Sequence, residues 1–99
     1  MRLDVHLSKT EPDVLYLDCQ ADLFRNLTTR VVIPLVEPDA GSGAVTRLNP
    51  RFAVADREVL MLTQALVALP VTALGDVVGH LRQERDRILG AIDLLLTGI

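Results

Sequence analysis

A mainly β domain closed by one C-terminal helix is predicted by three features of this 99-residue chain. Short runs of alternating apolar and polar residues fill its first two thirds, and a helical stripe, charged at first and then apolar, fills its end. Its apolar residues are aliphatic: hydrophobic side chains make up 49% of the sequence and aromatic ones only 3%. A core built from Val, Leu and Ile suits a small bent antiparallel sheet or barrel with the helix packed across it. One domain over 1–99 is expected, with strands across about 2–70 and a helix over about 81–96. A chain of this length buries roughly 60 to 65% of its unfolded surface, so its margin is narrow and a partner subunit is expected.

The elements follow in order. Leu3, Val5 and Leu7 alternate with Arg2, Asp4 and His6, the period of a strand with one wet face, on which His6 lies. After a turn marked by Pro12 and Asp13, a second strand points Leu15, Leu17 and Cys19 inward and Tyr16, Asp18 and Gln20 outward. Residues 29–35 form a β-branched run suited to a strand buried on both faces, and Pro34 marks an end, an edge or a bulge because it cannot donate to a ladder. Residues 37–46 hold Pro38, Gly41, Ser42 and Gly43 without periodicity, the longest candidate loop, and Asn49-Pro50 closes it. Two short runs, 51–55 and 58–63, suit a hairpin turning at Asp56-Arg57, and 65–69 continues extended to Pro70. The stretch 70–80 carries Gly75 and Gly79, and beyond it Leu81, Ile88, Ile92 and Leu95 form one helical stripe with Leu89 and Leu96 beside it. That order gives five or six strands and one helix.

Composition narrows the function. A net charge of −3 provides no overall basic field for a phosphate backbone. Cys19 is the one cysteine, which leaves no intrachain disulfide or cysteine-based metal site, and a core role suits it better than a nucleophilic one. No targeting core forms at the amino end, because Arg2, Asp4 and His6 interrupt it, and no apolar run is long enough to span a bilayer. A cytoplasmic protein without cofactor or metal is expected. The histidines, His6 and His80, have no Ser, Cys or carboxylate at a diagnostic spacing, so no catalytic residue is assigned. Arg82 and Asp86 fall four apart on a salt-laced helix face. A competing reading would use Arg85 with His80 to protonate and stabilise a scissile RNA phosphate, but few aromatics are available to stack bases.

The helix carries its apolar stripe to Leu94-Leu95-Leu96-Thr97-Gly98-Ile99, which suits closing the core, a subunit contact or a partner better than solvent; packing on its own domain accounts well for Leu95 and Leu96 and less well for Thr97, Gly98 and Ile99. Gly98 lets the backbone leave the helix, and Ile99 then projects beyond it.

Several segments, in this order, resemble the CcdB family of toxins from toxin–antitoxin modules. They are Leu17-Asp18-Cys19-Gln20-Ala21-Asp22, Arg30-Val31-Val32-Ile33-Pro34-Leu35, Met61-Leu62-Thr63, Leu69-Pro70-Val71-Thr72-Ala73-Leu74-Gly75 and the ending from Ala91 to Ile99. The resemblance implies a small SH3-like antiparallel β-barrel with a C-terminal α-helix and a homodimer, for which Ile92, Leu95 and Leu96 are the candidate contacts. It implies a non-enzymatic poison that binds the A subunit of DNA gyrase, is neutralised by a CcdA-type antitoxin, and meets operator DNA only through that antitoxin. The family's gyrase contact is Trp-Gly-Ile, which falls on Thr97, Gly98 and Ile99. Thr97 replaces an indole whose stacking face is of order 1 kcal/mol or more when desolvated. Two other readings stay open: the same fold without gyrase poisoning, as an antitoxin-binding co-repressor, and an mRNA-cleaving toxin like MazF or Kid. The antitoxin is expected at the 37–46 loop or at exposed strand edges.

Overall fold

A computed structural model describes residues 2–38 and 44–98. Among the described residues seven strands precede one α-helix: β1 (Asp4–Ser8), β2 (Leu15–Asp18), β3 (Thr29–Val36), β4 (Arg51–Val54), β5 (Arg57–Met61), β6 (Val67–Pro70), β7 (Leu74–His80) and α1 (Arg85–Thr97). They form one antiparallel sheet in the order β4-β5-β3-β2-β1-β7, with β6 added to β3, and the sheet curls into a half-barrel with the helix against it. This is the small barrel plus helix that the sequence predicts.

β3 organises the sheet. One edge pairs with β2, from Leu15 opposite Leu35 to Asp18 opposite Val32. The other edge serves two partners: Thr29 to Val32 pair with β6, and Leu35 and Val36 pair with β5. Pro34 stands at the changeover. Cys19 N–H donates to Val31 O at 2.9 Å, so by the alternation of an antiparallel ladder the missing N–H of Pro34 faces the other edge, where neither β5 nor β6 pairs with it. The Pro34 carbonyl on that side still accepts Leu62 N–H at 3.0 Å. The proline therefore sits inside the longest strand at no cost to its ladder.

The main core lies between the sheet and the helix. Val5, Leu15, Leu17, Ile33, Leu35, Val59 and Met61 from the sheet meet Leu81, Ile88 and Ala91, all essentially sealed from solvent. Each large aliphatic side chain so buried contributes about 1.5–3 kcal/mol. Arg87 lies over the Phe52 ring, 4.7 Å from its centroid, and donates to Arg51 O at 3.2 Å, which ties the first turns of α1 to β4. Gly90, inside α1, is different. A Cβ there would meet nothing within 4 Å, yet glycine costs a helix about 0.5–1 kcal/mol relative to alanine.

Several expectations are corrected. The strands do not end near residue 70: a 3-10 turn at Val71–Ala73 leads into β7, whose glycines are sites of close approach. A Cβ on Gly75 would lie 3.1 Å from Leu7 O, and Leu7 itself is exposed rather than turned inward. The β4–β5 hairpin turns one residue early, at Ala55-Asp56, where φ is 52° and 60°. Both positive angles mark the two-residue turn whose twist matches the strands. Ala65 belongs to a 3-10 turn, and extended structure resumes only at Val67. The face expected to be wet on β2 is covered: Tyr16 joins Val32 and Leu74 in a second small core, and Asp18 is buried. Arg82 pairs with Asp4 across the chain, at 2.8 Å, rather than with Asp86. A 3-10 turn at Arg82–Glu84 precedes α1, so the helix runs three or four residues later at its start than expected.

Candidate functional site

Two regions hold the residues from which a function is argued: the end of α1 and a cavity on the far side of β1 and β2. In the last turns of α1, Ile92 packs against the core while Leu95 and Leu96 face outward, Leu96 being 71% exposed. The proposed contact residues are thus split, with Ile92 occupied by its own domain. Thr97 Oγ1 donates to Asp93 O at 2.6 Å, which leaves chiefly its methyl for an outside contact. Gly98 takes the left-handed conformation at φ 76°, and its N–H returns to Leu94 O at 2.9 Å. That is the glycine cap expected of a helix that stops and lets the chain turn away. Ile99 lies outside the described residues, as do residues 39–43 of the 37–46 loop.

The cavity holds about 610 Å³. At its base the Asp18 carboxylate and the Arg30 guanidinium form a buried ion pair, and Arg30 also donates to Arg25 O at 3.3 Å. His6 enters from β1: its Nδ1 lies 3.0 Å from Gly75 O, and its Nε2 is buried with no partner among the described residues. If Nδ1 donates to that carbonyl, a neutral ring leaves Nε2 an acceptor. Asp22 Oδ1 accepts Arg2 N–H at 2.8 Å, and Arg25 and Asn26 stand at the rim opposite Val71 and Leu74. Polar floor and apolar wall together suit a small polar ligand or a residue of a partner.

His6 is therefore not a solvated surface histidine. The other expected pair does not assemble: His80 ends β7 with Nδ1 accepting Arg82 N–H at 3.3 Å, and Arg85 opens α1 beside Asp86 at 3.5 Å, both exposed and neither lining the cavity. What sequence reasoning missed is the grouping of His6, Asp18 and Arg30. The signal was present in part, since Asp18 and Arg30 are oppositely charged residues on adjoining strands. A second omission is the turn after β2, where Leu23 is 81% exposed and Phe24 and Leu27 are also open. Three apolar side chains within five residues thus face outward.

Cys19 follows its expected role. Its thiol donates to Leu17 O and packs against the main core; burial, aided by the Asp18 charge, pushes its pKa up to about 12. It is no nucleophile at neutral pH. Among the described residues no cluster of His, Cys, Asp and Glu could hold a metal, and no helix is long and apolar enough to cross a membrane.

Residues 2–98, nearly the whole chain, match the model of the family described as CcdB protein. The chain belongs to the CcdB family. It is accordingly a toxin of the toxin–antitoxin type. Solved structures agree on the fold at low identity. The Mycobacterium tuberculosis toxin MazF-mt6 superposes with a TM-score of 0.77 at 15% identity, over 93% of this chain and 94% of that one. An endoribonuclease in complex with its cognate antitoxin, from mycobacterial species, gives 0.79 at 14% identity, over 97% and 93%. The CcdB and MazF toxins share one barrel, and this chain has it.

Proposed function

We propose that this CcdB-family toxin inhibits DNA gyrase by binding its A subunit through the end of α1, acts in the cytoplasm as a homodimer, and is neutralised by a CcdA-type antitoxin. The observation that carries the reading is the exposed tip itself: Leu95, Leu96 and Thr97 face outward, and the left-handed Gly98 turns the chain away from the helix. Of these, Thr97 and Gly98 fall where the family's gyrase contact falls, with Thr97 in place of the indole. The protein has no catalytic task in this reading; it holds its target by contact. Losing an aromatic anchor from the centre of an interface costs about 2 kcal/mol or more, so this chain is expected to bind gyrase some thirtyfold more weakly than a Trp-bearing relative. Supercoiling by purified gyrase tests the reading: the toxin inhibits, Thr97→Trp inhibits at lower concentration, and a chain lacking residues 97–99 does not inhibit although it folds. Inhibition that survives the truncation refutes the terminal site, and no inhibition by either full-length form rejects gyrase poisoning through that site and leaves the co-repressor and RNA-cleavage readings.

The cavity favours a second reading, RNA cleavage. Its support is the placement of His6 beside the Asp18–Arg30 pair, with Arg25 at the rim, in a fold shared with a neighbour named as an endoribonuclease. Against it stands the net charge of −3. Single-stranded RNA cut by the toxin, but not by His6→Ala or Arg25→Ala, would establish it; intact RNA after long incubation rejects it.

A further inference from the structure

On the opposite side of the barrel, two clefts of about 300 and 340 Å³ adjoin between the 44–50 segment, β4 and α1, and they share Thr46, Pro50 and Arg87. Arg51 lines one, Arg47 the other, and no acidic residue lines either among those described. On a chain of net charge −3 this is a local concentration of positive charge. Arg51 and Arg87 are each held from the margin by a single carboxylate, Glu58 at 3.5 Å and Glu84 at 3.2 Å, and both remain more than half exposed. Arg47 is exposed and has no ion-pair partner among the described residues.

The wall is pinned before any partner arrives. Asn49 donates to Met61 O at 3.0 Å and to Gln64 Oε1 at 2.6 Å, accepts Val45 N–H at 3.0 Å, and Thr63 donates to Leu48 O. Gly90 forms part of the floor. Nothing among the described residues requires glycine at that helical position, because a Cβ would meet none of them within 4 Å. A residue unfavourable to its helix and sterically unnecessary to its own fold fits a surface against which another backbone lies closely.

We infer that this cleft is a docking site for an acidic peptide segment of a partner protein, with its carboxylates on Arg47, Arg51 and Arg87 and its backbone against Gly90. Carboxylate rather than nucleic-acid phosphate is favoured because no aromatic side chain lines either cleft to stack a base. The site is independent of the tip of α1, so it stands whether or not gyrase is the target.

The test uses the intact toxin, a synthetic dodecapeptide repeating Glu-Leu-Asp-Ala, and its Gln-Leu-Asn-Ala counterpart, read by fluorescence anisotropy and by NMR shifts of the 44–51 and 87–91 amides. The acidic peptide is expected to bind and shift those amides, the amide peptide is not, and added salt is expected to weaken the complex. Arg47→Glu with Arg51→Glu should weaken binding on the order of tenfold. Gly90→Ala should weaken binding while raising the thermal midpoint of the free toxin, a combination that a purely structural glycine would not give. Absent or equal binding of the two peptides overturns the proposal, as does affinity unmoved by the arginine or glycine changes. Tighter binding of a single-stranded DNA dodecamer at the same amides also overturns it and gives the cleft to phosphate.

Discussion

Gly79 on β7 and Val54 on β4 meet where the two ends of the curled sheet come together: a Cβ on Gly79 would lie 2.9 Å from Val54 Cγ2. These strands are the terminal ones in the order of the sheet, so this approach sets how tightly the half-barrel closes. Gly79→Ala must push Val54 or bend β7, and overpacking of this kind costs roughly 1–3 kcal/mol. Urea denaturation should record that loss. Val54→Ala in the same chain should return part of it, giving a coupling of about 0.5 kcal/mol or more; strictly additive losses would show that the two residues do not press on one another.

The hairpin at Ala55 and Asp56 offers the opposite outcome. Both residues hold positive φ, a conformation that costs an ordinary side chain about 1–2 kcal/mol and a glycine almost nothing. Replacing the pair by Asn-Gly supplies the residues this turn favours, so Ala55→Asn with Asp56→Gly should stabilise the protein by about 1 kcal/mol. The gain should appear as a higher denaturation midpoint at unchanged slope, because neither residue is buried. An unchanged or lower midpoint would mean that the turn is not of this type in solution.

The buried Asp18–Arg30 pair should be intolerant of single changes. Asp18→Ala leaves a largely buried guanidinium without its carboxylate, a loss of about 3–5 kcal/mol, large against the total stability of a small domain. Replacing both residues, Asp18→Leu with Arg30→Met, removes the unpaired charge along with the pair and should cost much less. If the double variant is as unstable as the single one, the pair is not what Arg30 depends on. Because this pair floors the cavity, the double variant also asks whether ligands of that site need its charges.

How much of this was legible in the sequence depends on whether a residue's role is local. Period-two alternation located β1 and β2, and the β-branched run located β3, because one face of each is apolar wherever its neighbours fall. β7 was not legible, since the strands were expected to end near residue 70 and Gly75 and Gly79 offer no alternation to follow; the approach of Leu7 and Val54 accounts for the two glycines, and both come from distant parts of the chain. Asp18 and Tyr16 were assigned to solvent because alternation finds two faces but cannot tell that a curled sheet covers both. The tip of α1 was visible as an apolar ending. His6 beside Asp18 and Arg30, and Arg47 beside Arg87, come together only when the sheet closes and the helix packs on it.

Cys19 provides a prediction that depends on pH. Burial, with the neighbouring Asp18 charge adding to it and Arg2 opposing, raises the thiol from 9.0 to about 12 in the folded chain. The folded state therefore holds its proton to higher pH than the unfolded state does. The resulting contribution to stability is fully present below pH 9.0 and is lost as the pH rises from there toward 12. Urea midpoints taken through this range should fall for the native sequence more steeply than for Cys19→Ala, in which no thiol titrates. Reactivity should follow the same difference. At about pH 8 the folded thiol should react with a disulfide reagent on the order of a thousandfold more slowly than the same thiol in denaturant. A fast reaction of the native protein would place Cys19 at the surface and remove it from the core.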